Sequence, residues 1–290
     1  MEAINKLSIG KKVIYYILLI IVAVYILFPF VWIFLTSIKM PSDITSFPPK
    51  FIFNATLDNY KNLFAIAQTG AAASTLNFPR YYLNSVIIAG FGTILSLIIG
   101  CGAGYALTRA EFKNEGSREN VGFTLLSFWF GPELAIILPL YVIYNRIGMI
   151  DKHITLILAY QLIGIPFVVW MSRSFFRDVP VSIEEASRID GYSLIQTFRK
   201  ITFPLVKSGL AATAVLTFIF QWNNFLFALV IGGRNTMPIT TGALGFISYE
   251  AVLWGQMAAA IILSSVPQLI LAMFVQQHMV RGLTFGAVKG

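Results

Sequence analysis

The sequence is poor in the residues that most familiar chemistry uses. Cys101 is the sole cysteine and lies in an apolar run, so no disulfide can form within the chain. The two histidines, His153 and His278, are far apart and have no ligand spacing around them, which disfavours a metal centre. Only 12% of the 290 residues are charged, where a soluble domain carries about 25%, and 57% are hydrophobic. A chain of this composition has lipid for a solvent. The net charge of +8 comes without a basic stripe interleaved with aromatics, which excludes a nucleic-acid partner and matches the positive surplus of membrane proteins. No G-x-x-x-x-G-K-[ST] segment occurs, so the chain has no nucleotide loop of its own. The run Gly100-Cys101-Gly102-Ala103-Gly104 has no strand before it and reads as close helix packing. Carboxylates and histidines clustered at membrane depth are also missing, which disfavours an intramembrane enzyme.

What is present in quantity is long apolar runs. Val13 to Leu35 is 23 residues without a charge, too long for the roughly 7 to 15 of a signal peptide and long enough to cross the hydrocarbon core as a helix. Further spans are expected at Tyr81 to Thr108, Val121 to Tyr144, Ile154 to Ser172, Gly209 to Ile231 and Ala251 to Val280, with Pro139, Pro166 and Pro267 inside three of them. The fold class is an all-α membrane protein of six transmembrane helices. Residues 1–12 form the N-terminus, 13–36 the first helix and 37–79 an external loop holding a short amphipathic helix near Leu57 to Ala67. Residues 80–280 form a five-helix core that includes a polar loop at 177–208, and 281–290 form the tail.

Six spans place both termini on one side of the membrane. On this map 14 of the 21 basic residues share that side, among them Lys6, Arg109, Arg173, Arg177, Arg199 and Lys289, leaving 7 for the other. The richer side is cytosolic by the positive-inside bias. Both termini and the polar loop therefore face the cytosol.

That loop is the one long polar, helix-patterned segment. Ser182 and Glu185 have capping-box spacing, which predicts a helix start at Ser182, and Gly191 supplies the left-handed residue that commonly stops a helix. Ser193 and Gln196 repeat the capping-box spacing, and Pro204 lacks an amide, so a second short helix is expected from about Leu194 to Phe203. Ile183 and Ile189 offer apolar anchors, Ala186 and Ser187 allow close approach, and Glu184, Glu185, Arg188 and Asp190 offer polar contacts.

Glu185-Ala186-Ser187, three residues, Gly191, nine residues, then Ile201-Thr202-Phe203-Pro204 resembles the EAA loop of ABC importer permeases, with Ser187 in place of the second Ala and Phe203 in place of Leu. The ending Gly282-Leu283-Thr284-Phe285-Gly286-Ala287-Val288-Lys289-Gly290 is similar to the tail of the maltose-type carbohydrate permeases, the second of their two transmembrane subunits. The resemblance implies the ABC type I importer permease fold and a permease without its own ATPase. It implies that Ile183, Glu184, Glu185, Ala186, Ser187, Arg188, Asp190 and Gly191 form a coupling helix seated in an ATPase subunit. Thr284, Gly286 and Lys289 of the tail reach the ATPase pair on the same grounds. Implied partners are a second permease subunit, two ATPase subunits that bind ATP and Mg, and an external solute-binding protein, all around a permease in the bacterial inner membrane. No cofactor is implied for the chain itself.

Solute contacts are less legible. Trp222, Asn223, Asn224 and Phe225 combine an aromatic face with amides in the middle of the expected fifth span, types that suit a sugar and equally suit helix packing. Glu133, after Gly131-Pro132, is the one carboxylate in or at the edge of a span, and it lines a pathway, sits at the headgroup level or caps a broken helix. A stand-alone secondary transporter or channel is the alternative reading, and it would need intramembrane charges beyond Glu133 or inverted halves.

Overall fold

The computed structural model describes residues 8–65, 77–112, 114–247 and 252–285, and is helical with no strand among them. In chain order the helices are α1 (Ile9–Ser37), α2 (Pro41–Ile44), α3 (Asp58–Ala65), α4 (Phe78–Arg109), α5 (Glu115–Phe130), α6 (Glu133–Arg146) and α7 (His153–Arg177). They continue with α8 (Val181–Ile189), α9 (Leu194–Thr197), a π-helical turn (Phe198–Thr202), α10 (Phe203–Trp222), α11 (Leu226–Ile231), α12 (Ile239–Gly242) and α13 (Trp254–Phe285). Among the described residues, five helical segments are long and apolar enough to cross a membrane, and a sixth span results if α5 and α6 are one bent crossing.

The chain divides into two compact units, residues 1–76 with 245–263 and residues 77–244 with 264–290. In the first, α1 buries only Ser37, while Ile14, Leu18, Ile21 and their neighbours stay exposed. Each such side chain would cost about 1.5–3 kcal/mol in water, so this face belongs in lipid. At its end Lys39 is fully buried, its Nζ donating to the Lys50 carbonyl at 2.6 Å and lying 4.7 Å from the Trp32 ring centre. Asn59 of α3 donates to the Ser37 and Lys39 carbonyls, which fixes α3 beneath that turn.

In the second unit α4 and α7 form the most extensive helix pair, and glycine makes it possible. A Cβ on Gly100 would strike Val168, and one on Gly104 would strike Ser172, whereas Gly102 has open space around it. Of the glycine run, then, the i and i+4 members pack and the middle one faces outward, as small residues do at membrane helix contacts. Three buried polar groups bind the pair to α10: Ser96 Oγ donates to Gln161 Oε1 at 2.7 Å, and Gln221 Nε2 donates to Ser96 Oγ at 2.9 Å. Glycines at 92 and 164 leave the room these side chains occupy.

At the opposite end of α7 from the polar loop, two connections read as external turns are stitched together. Asp151 accepts from the Asn235 and Thr236 amides at 3.0 Å each, and Asn84 Nδ2 donates to the Asn235 and Met237 carbonyls at 2.9 Å. With its amide nitrogen so committed, Asn84 presents Oδ1 to His153, so the Nε2 of that ring carries a proton across 2.8 Å.

Three expectations are corrected. The third span is not one helix, because Pro132 pushes Gly131 out of the helical region and α5 and α6 meet at 83°. The fifth span ends at Trp222, with Asn223 and Asn224 in the break before α11. The second short helix of the loop does not stop at Pro204: the chain stays helical through the π turn Phe198–Thr202, and Pro204 is the second residue of the α-helical segment that follows. Helix therefore runs on from α9 through the π turn into α10.

Candidate functional site: the loop between α7 and α10

Helix α8 begins one residue before the expected cap. Pro180 holds the N-cap position, no side chain caps it, and the Ser182–Glu185 capping box does not form. The reason is tertiary: Glu184 in the first turn is drawn inward and is 5% exposed. Arg109, the last residue of α4, grips it at two points, Nε to Oε2 at 2.9 Å and Nη2 to Oε1 at 3.0 Å. Tyr105 Oη donates to Oε2 at 3.0 Å, and Thr202 Oγ1 of the π turn donates to Oε1 at 2.8 Å. The same guanidinium donates to the Phe176 and Val179 carbonyls at the end of α7, at 3.1 and 2.9 Å. One carboxylate thus ties α4, α7, α8 and the π turn together. Burial pushes the Glu184 carboxyl up, and the Arg109, Thr202 and Tyr105 hydrogen bonds outweigh it and hold the group below the usual glutamate range.

Ser187 is also turned inward, its Oγ donating to the Glu184 carbonyl at 2.8 Å and sharing a 2.8 Å hydrogen bond with Thr197 of α9. Of the expected set of eight, Glu184 and Ser187 are therefore buried inside the loop, while the other six are exposed. Beneath them Tyr105 packs edge-on against Phe176 at 5.5 Å and against Phe198 at 4.9 Å, with Val206 and Leu210 completing an apolar cluster.

The turn behaves as its sequence says. Gly191 has φ +87°, Tyr192 N donates to the Ser187 carbonyl at 3.1 Å and Gly191 N to the Arg188 carbonyl at 3.1 Å, the paired bonds of a Schellman stop. The Ser193–Gln196 capping box forms with both of its bonds. The outward face consists of Ile183, Glu185, Ala186, Arg188, Ile189, Asp190 and Gly191. Ile189 is 87% exposed, and Leu194 and Ile195 beyond the turn add an exposed apolar surface that the sequence reading did not assign. The apolar pair directly after the Ser193 cap was the available signal, and the capping box marks only where α9 starts.

The other expected site residues do not converge. Trp222 is buried against Tyr82 and Phe218 and packs in the core. Asn224 Oδ1 accepts from the Phe227 amide and starts α11. Asn223 is exposed and donates to Gln268 Oε1 of α13 at 2.9 Å. Glu133 opens α6 at the 83° bend, half-buried. Thr284 lies in the last turn of α13, and Gly286 and Lys289 lie outside the described residues.

A bundle of apolar helices, split at one crossing and carrying a braced polar loop between two spans, is the frame against which relatives can be compared. Residues 96–285 match the family described as the binding-protein-dependent transport system inner membrane component. The chain belongs to that family. It is a multi-pass permease of the inner membrane. Among curated relatives it is 35% identical to the probable ABC transporter permease protein y4oR of Sinorhizobium fredii, over 98% of each chain. It is 32% identical to the trehalose/maltose transport system permease protein MalG of Thermococcus litoralis, over 97% of this chain and 98% of that one. To the trehalose transport system permease protein SugB of Mycobacterium tuberculosis it is 34% identical, over 92% and 93%. Among solved structures, a chain of a bacterial ABC transporter involved in the import of alginate superposes with a TM-score of 0.73 and 21% identity, covering 93% of this chain and 98% of that one. The fold is that of the ABC importer permeases.

Proposed function

We propose that this permease imports a carbohydrate delivered by an external solute-binding protein, and that α8 and the following turn form the coupling element by which an ATPase subunit moves the spans. The observation that carries the coupling reading is the two-faced build of the loop. Its inner face is fastened to α4, α7 and the π turn through Glu184, while its outer face leaves Ile183, Ile189, Leu194 and Ile195 uncovered. Exposed apolar surface rimmed by Glu185, Arg188 and Asp190 fits a groove on another protein. A push delivered there is transmitted because the loop cannot yield without breaking the Glu184 fastening. The carbohydrate reading rests on the relatives named for trehalose, maltose and diacetylchitobiose transport.

On this reading both termini and the loop face the cytosol, ATP and Mg are bound by two partner ATPase subunits, and a second permease completes the membrane part. The tail around Thr284, Gly286 and Lys289 approaches the ATPase pair, and Glu133 and Asn223 border the pathway. The test is recovery of the complex from detergent with its membrane and cytosolic neighbours, followed by crosslinking from a cysteine placed at Ala186. A crosslink to an ATPase subunit that changes with ATP supports the coupling role. A chain that moves solute alone in liposomes would overturn it.

A further inference from the structure

A cavity of about 500 Å³ lies between α5 and α7, at the end of α7 that leads into the polar loop. Its walls differ in character. At one end stand Arg173, Arg177 and Glu119; at the other Phe123, Leu126 and Trp170. Arg173 is 7% exposed, donates from Nη2 to Glu119 Oε1 at 2.7 Å, and has no hydrogen-bond partner at its buried Nε. Arg177 donates to the same Glu119 oxygen, so two guanidiniums share one carboxylate and the end of the cavity stays positive. Gly122 is the reason Arg173 fits, since a Cβ there would strike its Nη1.

We propose that this cavity binds the phosphate headgroup of an anionic phospholipid, with an acyl chain lying along Phe123, Leu126 and Trp170. A buried guanidinium with an unused N–H favours an acceptor with several oxygens, and phosphate matches a guanidinium fork at two points. A basic pocket between helices beside an apolar wall is the chemistry by which membrane proteins retain anionic lipids. Phe123 is 72% exposed and Trp170 54%, so the apolar wall opens on the helix surface, where a lipid tail is available and a soluble anion has nothing to offer. Glu119, half-exposed, is the internal occupant that the headgroup displaces from part of the pair.

The test uses the assembled importer in phosphatidylcholine nanodiscs doped with phosphatidylglycerol, with retained lipids counted by native mass spectrometry. Arg177→Gln, at a half-exposed site that folding tolerates, lowers retained phosphatidylglycerol about fivefold and leaves phosphatidylcholine unchanged. Arg173→Gln lowers it further where that variant assembles, and Glu119→Gln raises it. Equal retention in wild type and Arg177→Gln overturns the proposal. So does displacement of the lipid by inorganic phosphate, which marks a free-anion site, or a crosslink from a cysteine at Trp170 to the second permease, which marks a protein interface.

Discussion

Arg109 and Glu184 meet 75 residues apart in sequence as a two-point ion pair, their side chains 15% and 7% exposed, and that pair holds the polar loop against the end of α4. On the coupling reading proposed above, motion of α8 reaches α4 through this joint.

Removing one partner of such a pair leaves the other charge buried and unmatched. Arg109→Gln is expected to cost about 3 kcal/mol, and Glu184→Gln to cost less, because Gln keeps one acceptor oxygen for Thr202 or Tyr105. The double variant should recover part of the Arg109→Gln loss. Thermal unfolding of the four proteins in detergent measures the cycle, and strict additivity would show that the two residues do not act together.

The pair also sets an acid limit. Because the folded Glu184 carboxyl is held below its usual range, its stabilisation is complete above the ordinary glutamate value of about 4.3 and is lost as pH falls through the lowered folded value. Protection of residues 178–193 from proteolysis should therefore hold above about pH 4.3 and decline below it, and this acid decline should be smaller in Arg109→Gln, where the guanidinium that lowers the folded value is gone. A profile that is unchanged in that variant would refute the assignment.

Gly191 occupies φ +87°, a conformation that costs a side-chain-bearing residue about 1–2 kcal/mol and that proline cannot adopt. Gly191→Ala should weaken coupling and Gly191→Pro should abolish it while the spans still insert. Comparing ATP hydrolysis with solute uptake in proteoliposomes reads the uncoupling directly; normal uptake by the proline variant would remove the turn from the mechanism.

The α4–α7 contact offers an internal control. Gly104→Leu drives a side chain into Ser172 and the Val169 carbonyl and should destabilise by about 1–3 kcal/mol or more, whereas Gly102→Leu points into open space and should stay within about 0.5 kcal/mol. Yield and melting temperature of the two purified variants decide it.

The sequence alone carried the class of the molecule, because apolar run length and charge scarcity have one solvent that satisfies them. It carried the loop's turn as well: Gly191 and the Ser193–Gln196 box act over three or four residues, within the reach of local chemistry. Local chemistry failed where a distant group competed. Ser182 and Glu185 had the spacing of a cap, yet Arg109 claimed Glu184 and turned the first helical turn inward. Arg109 itself read as one charge in an alternating segment, though it lies four residues after Tyr105 and so on the same helix face, where both could reach one acceptor. Trp222 and Asn224 were assigned by residue type, and the break before α11 decided that one fills the core and the other starts a helix. Periodicity and spacing act along the chain, so they settle which segments are helical. Which face of α8 is held and which is left for a partner depends on side chains that only the packing of α4 and α7 brings within hydrogen-bond distance.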